Sequence, residues 1–286
     1  MFHSSMLLAG LLAATASARP AAPNADIKCP VVLSGQVPTA TQLTDFDSYA
    51  TSKVFNPDYV RASSIPWSKS LLFPAVANSR FDNSSYKSLE VTISEKSIFQ
   101  TQNGFRRAGL QIMGDTNEGG PGTTGVRTLH WSVKQDAARK LNLTHEYLNV
   151  WHETSDYSAN QFNFEMGTLI GKSGDKNTFK VTNRQNNVIW STAIDNTAWQ
   201  NFAVTLDYNK NTLQVYYSKG DDALKSVTSA LSNDNSGGGQ FQIGILKKPT
   251  GTSDVVNSGY QESPINEGQI YGGIFLEDSA NGCISL

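Results

Sequence analysis

The sequence predicts an all-β fold, an antiparallel sandwich of jelly-roll type. Three observations predict it. Apolar and polar residues alternate in run after run, helical periodicity is almost absent, and Gly, Asn and Ser punctuate the runs at short intervals. In chain order, Thr41 to Tyr49 is a weak candidate for a helical turn. Leu89-Val91-Ile93 then alternates with Ser88, Glu90, Thr92 and Ser94, which reads as a strand with one buried face. A strand over Leu110 and Ile112 leads into Gly114-Asp-Thr-Asn-Glu-Gly-Gly-Pro-Gly122, where four glycines and a proline predict a tight, irregular rim. Leu129-Trp131-Val133 opposes Thr128-His130-Ser132. The runs His145 to Glu153 and Gln161 to Met166 follow. Phe202-Val204-Leu206 and Leu213-Val215-Tyr217 flank Tyr208-Asn-Lys-Asn-Thr212, a natural hairpin connection. Leu224 to Leu231 is a second short helical candidate, and Ser236-Gly-Gly-Gly239 reads as a loop between strands. Phe241-Ile243-Ile245 and Ile270-Ile274-Leu276 complete the pattern.

The ends of the chain suggest where it works. Met6 to Thr15 is a short apolar run closed by Ala16-Ser17-Ala18, a small-x-small pattern that reads as a secretory signal peptide over 1–18, cleaved before Arg19. The run is too short to span a bilayer, and no later run approaches that length. Residues 19–286 are then expected to form a single catalytic domain. The only two cysteines, Cys29 and Cys283, stand near its two ends, and in an oxidising compartment they are expected to pair. A loop that long would contribute about 4–5 kcal/mol on the chain-entropy model. Asn83-Ser-Ser and Asn142-Leu-Thr have the form of glycosylation acceptors, which requires both to be exposed. A net charge of −2 and the absence of any basic cluster beyond pairs such as Arg106-Arg107 argue against nucleic acid and anionic membrane as partners. A secreted, extracellular monomer is expected.

Titratable residues concentrate in one window. Once the leader is set aside, the remaining histidines are His130, His145 and His152, interleaved with Trp131, Tyr147, Trp151 and the carboxylates Asp115, Glu118, Glu146 and Glu153. By the period-two rule, His145, Tyr147, Asn149, Trp151 and Glu153 share one polar and aromatic face, with Glu146, Leu148, Val150 and His152 opposite. Phe162, Phe164 and Met166 belong to the core, so Glu165 points with Gln161 and Asn163. Aromatic faces beside carboxylates suit an open concave cleft that holds a sugar and protonates a glycosidic oxygen. His130, His145, Tyr147, Trp151, His152 and Glu165 are the expected substrate-binding or supporting residues. Asp115 and Glu118 serve either as acid/base groups or as ligands of a structural calcium, although their spacing does not match an EF-hand. No Gly-x-Ser-x-Gly elbow, zincin spacing or phosphate fingerprint is present, so no organic cofactor and no catalytic metal are expected.

From about Cys29 onward the chain resembles the fungal β-glucanases of glycoside hydrolase family 131. The resemblance is carried by Arg107-Ala-Gly-Leu-Gln111, Leu129-His-Trp-Ser132, Leu143-Thr-His-Glu-Tyr147, Val150-Trp-His-Glu153, Asn160-Gln-Phe162 and Tyr271-Gly-Gly-Ile-Phe275. It implies a β-jelly roll with an open cleft and hydrolysis of β-1,3-, β-1,4- and sometimes β-1,6-linked glucan. No counterpart of the cellulose-binding module that some members carry is expected here. It also implies two catalytic glutamates, matched to Glu118 and Glu153, with Glu165 as the alternative to Glu153. Two other functions compete. A glucuronan-type polysaccharide lyase would use Tyr147 or a histidine as base with Arg106 or Arg107 against the substrate acid, and a non-catalytic lectin would use the tryptophans alone.

Overall fold

In a computed structural model that describes residues 25–286, two antiparallel sheets stack face to face as a jelly-roll-type sandwich. Strands are numbered along the chain. The larger sheet runs β14 (Lys225–Ser226), β13 (Thr212–Lys219), β12 (Gln200–Asp207), β7 (Val126–Gln135), β17 (Asn266–Asp278), β5 (Leu89–Ser94) and β3 (Leu71–Leu72). β1 (Val31–Ser34) adds to β17, and β15 (Leu231–Ser232) adds to β13. The smaller sheet runs β11 (Val188–Ala193), β10 (Thr178–Asn183), β9 (Asn160–Gly167), β8 (Glu146–Glu153), β16 (Gln240–Lys247) and β6 (Arg106–Leu110). A ribbon of β2 (Val37–Pro38) and β4 (Tyr86–Lys87) stands apart.

The alternation read from the sequence sets what each sheet buries. Leu89, Val91, Ile93, Leu129, Trp131, Val133, Phe202, Val204 and Leu206 of the larger sheet pack against Phe162, Phe164, Met166, Phe179, Val181, Phe241, Ile243 and Ile245 of the smaller one. Trp131 stacks on Phe202 at 5.7 Å and meets Phe164 edge-on at 5.3 Å, so aromatic rings join the sheets at the centre. The expected hairpin over 208–212 joins β12 to β13. Cys29 and Cys283 form a disulfide. Its neighbourhood is tied further by Ser285, whose Oγ accepts from the Lys28 N–H and donates to Glu277.

Some expectations are corrected. Leu224 to Leu231 is not helical, because Lys225–Ser226 and Leu231–Ser232 are drawn into pairing with β13. Thr41 to Tyr49 does contain a short 3-10 helix, Leu43–Asp47. Asn83 is exposed as its sequon requires, whereas Asn142 is half-buried and its Nδ2 donates to Glu262 at 2.8 Å. The leader lies outside the described residues. Among the described residues, no helix is long and apolar enough to cross a membrane.

Candidate active site

β8 has the sequence most crowded with candidates, and its faces are not strictly alternating. Pairing with β9 shifts register between Leu148 and Val150, and pairing with β16 shifts between Ile243 and Leu246. The bulge adds one residue to the count, so side chains before and after it exchange faces. Tyr147, Val150 and His152 therefore point into the sandwich, while Leu148, Trp151 and Glu153 share the outer face. Tyr147 is corrected from the polar face to the core, where its hydroxyl donates to Glu267 at 2.8 Å. Trp151 is on the expected face but is covered by Phe105, Leu148 and Leu246 in a small apolar cluster.

The three histidines are not brought together. His130 sits on the far face of the larger sheet, stacked on Phe275 at 4.3 Å, with Nε2 against Glu277 at 2.9 Å. Its neighbours Leu129 and Trp131 take the core face, which forces His130 away from the smaller sheet. His145 lies at the start of β8, held by the Lys248 carbonyl at 2.8 Å and Glu262 at 2.9 Å. Eight residues of strand, roughly 26 Å, separate it from Glu153. His152 is wholly buried, with Nδ1 on Gln161 at 2.6 Å, and burial lowers its pKa to about 4. It is a neutral core imidazole.

Glu153 ends β8 at the open edge of the sandwich and is half-buried. Gln242, on neighbouring β16, donates Nε2 to its carboxylate and accepts from Arg107 Nη2 at 3.1 Å. Arg107 is buried over the rings of Trp151 and Phe99, at 5.8 and 5.7 Å, and reaches Gln102 at 3.0 Å. Residues 55–60 bond to the edge of β6, through Gly109 N–H on the Val60 carbonyl at 2.8 Å and a bridge from Phe55 to Ile112. They fold over the outer face, so Tyr59 receives a hydrogen bond from Gln240 and faces Glu153 and Tyr157. Burial raises the Glu153 pKa, with Arg107 and Gln242 opposing the rise. The Tyr59 phenol is raised by burial and then by Glu153, so it stays protonated. The arrangement sets burial, which favours the protonated acid, against Arg107 and Gln242, which favour the carboxylate, on one half-buried carboxyl.

Glu118 is exposed in the predicted rim loop. The loop is tied to the turn after Glu153, where Asn117 Nδ2 donates to the Ser155 carbonyl at 3.0 Å. Asp115 of the same loop is buried instead, accepting the Phe241 N–H at 2.8 Å, and burial pushes its pKa up to about 7. Among the described residues no group of three or more His, Cys, Asp or Glu is arranged to hold a metal ion. Glu165 shares the outer face with Glu153, but Glu153 pairs with Asn160, five residues earlier on β9. The two are roughly 16 Å apart along the sheet, too far to share one glycosidic bond.

Sequence reasoning missed Tyr59, Gln240 and Gln242 and gave Tyr157 no role. Gln240 and Gln242 were available to it, as the polar partners of Phe241-Ile243-Ile245. Tyr59 and Tyr157 lie in irregular segments that carry no periodic signal.

A family model described as the glycoside hydrolase 131 catalytic N-terminal domain matches residues 31–282. Among solved structures, the chain is similar to the catalytic domain of a GH131 β-glucanase from Podospora anserina. The identity is 20%, over 89% of this chain and 97% of that one, with a TM-score of 0.72. It is also similar to the catalytic domain of a glycoside hydrolase family 131 protein from Coprinopsis cinerea. There the identity is 20%, over 87% of this chain and 94% of that one, with a TM-score of 0.68. At such identity the likeness shows the fold. No curated protein matches the chain.

Proposed function

Because the chain belongs to the glycoside hydrolase 131 catalytic-domain family and is therefore a glycoside hydrolase, we propose that it cleaves β-glucan at the Glu153 end of the smaller sheet. One observation carries the placement: Glu153 is the carboxyl on that face that is raised by burial, tuned by Arg107 and Gln242, and still open to solvent. In this reading Glu153 gives its proton to the leaving glycosidic oxygen. Glu118, exposed on the loop clamped to the same turn, takes a proton from the attacking water, which inverts the anomeric centre. β-1,3- and β-1,4-linked glucans are the proposed substrates, with β-1,6 linkages a further possibility of the same open face. A secreted monomer is the proposed form, and the disulfide supports an oxidising destination.

The lyase alternative has a tyrosine and an arginine at the same place, but both are committed. Tyr59 is held protonated, which makes it a poor base, and Arg107 is engaged by Gln102 and Gln242. Reducing ends released from mixed-linkage glucan and laminarin, with the product anomer followed by proton NMR, test the proposal. Hydrolysis by the unmodified protein and its loss in Glu118→Gln and Glu153→Gln are expected. An unsaturated, ultraviolet-absorbing product from glucuronan, without any glucan hydrolysis, would replace it with the lyase.

A further inference from the structure

The turn that follows Glu153 presents a side chain that the fold itself does not use. Tyr157 is 65% exposed, more than any other large apolar side chain among the described residues. Its backbone is left-handed, with φ at +61°, a conformation costly for a bulky residue that Gly or Asn adopts readily. The turn enforces it. Tyr157 N–H donates to the Thr154 carbonyl at 2.9 Å, and Asp156 Oδ1 gathers the Thr154 hydroxyl and the Ser158 N–H and hydroxyl. From outside, Ser155 N–H and hydroxyl bind the Gly237 carbonyl at 3.0 and 2.8 Å. None of these bonds involves the Tyr157 ring, so the turn fixes where the residue stands while its ring holds nothing in place.

That position is beside Glu153: the 237–239 segment that Ser155 binds packs Gly239 against the Glu153 carbonyl, and Asn117 of the Glu118 loop bonds the Ser155 carbonyl at 3.0 Å. A strained, rigidly mounted aromatic facing water beside an acid is a surface for a ligand with an apolar face. A β-glucosyl ring has such faces, because its hydroxyls are equatorial and its axial C–H bonds line both sides. We propose that Tyr157 is the platform on which the glucosyl ring beside Glu153 stacks, and that it selects all-equatorial β-linked sugars. This rests on the placement of catalysis at Glu153 and adds a binding role that the placement does not require.

The test is steady-state kinetics on mixed-linkage β-glucan with Tyr157→Gly and Tyr157→Phe in the full chain. Tyr157→Gly removes the ring and also relieves the left-handed strain, so the protein is expected to unfold no earlier than the unmodified chain. Its KM is expected to rise about tenfold, as loss of one aromatic stacking contact implies, with kcat changed by less than about threefold. Tyr157→Phe is expected to restore KM to within about threefold of the original. An unchanged KM in Tyr157→Gly would overturn the platform. If the unmodified protein fails to cleave glucan, the proposed function fails separately and cellotetraose binding decides. A tenfold weaker Kd in Tyr157→Gly would then uphold the platform, and an equal Kd would overturn it.

Discussion

Glu153 and Glu165 leave the same face of the smaller sheet on neighbouring strands, and burial raises the pKa of both. Their surroundings differ in kind. Glu153 is half-buried at the edge of the sandwich, where Arg107 and Gln242 restrain the shift and Tyr59 and Tyr157 border it. Glu165 is 4% exposed, its pKa is pushed up to about 7 by burial and then by Glu146, and lysines 172 and 248 act on it from nearby. Lys180 is bound to the Asp175 carbonyl at 2.8 Å, and burial lowers its pKa against the opposing pull of Asp175 and Glu165. A raised carboxyl pKa is thus common to both, and exposure to solvent separates them. The first has donors that oppose the rise; the second is closed into a wall.

The largest contrast is expected in catalysis. Glu153→Gln should lower kcat/KM on β-glucan by about 10³-fold, within the range that general acids contribute. Glu165→Gln should stay within about threefold of the unmodified protein. Reducing-sugar assays on folded protein, checked by circular dichroism, read both. Equal losses would erase the distinction.

Backbone space at the two ends gives the next contrast. Gly239 has φ at +107°, and a Cβ there would lie 1.7 Å from the Glu153 carbonyl oxygen. Gly171, near Glu165, has φ at +74° and nothing within 4 Å. Gly239→Ala should cost upwards of about 3 kcal/mol and displace Glu153, whereas Gly171→Ala should cost about 1 kcal/mol. Urea melts of both variants check the order.

Much of the fold was legible because alternation with period two runs through most of the long strands, interrupted by bulges in β8, β16 and β17. Phe202-Val204-Leu206 and Phe241-Ile243-Ile245 were placed on their core faces from sequence alone. The site was less legible for local reasons. A bulge at Leu148 to Val150 carries Tyr147 inward, and a bulge leaves no mark in a hydrophobic pattern. His130 alternates as a polar residue should, but alternation does not say which sheet a strand joins. Glu153 and the Glu118 loop could be singled out because their motifs are local. Tyr59 was not, since its approach depends on an irregular segment crossing from the edge of β6 to Gln240 on β16.

A smaller effect concerns the tuning of Glu153. Gln242→Met removes a donor that lowers the Glu153 pKa, so the pKa should rise. The acid then keeps its proton to higher pH, and the alkaline limb of the kcat/KM profile should move up. A limb that stays in place would detach Gln242 from the acid.

The smallest effect belongs to the other end. Glu165 binds its proton more tightly folded than unfolded, so its contribution to stability is complete below about 4.3 and is lost as pH rises through about 7. Glu165→Gln cannot titrate. The stability gap between variant and unmodified protein should therefore shift in favour of the variant between pH 5 and pH 8, as thermal melts at both pH values would show.

The claim that catalysis belongs to the Glu153 end is tested most directly by a crystal structure of Glu153→Gln with a bound β-gluco-oligosaccharide. The expected result is a sugar chain crossing the outer face beside residue 153, with one ring against Tyr157. A depression of about 420 Å³ at the other end, lined by Glu146, Ile170, Lys172 and Pro249, offers a competing place. An oligosaccharide seated there, with none beside residue 153, would contradict the account.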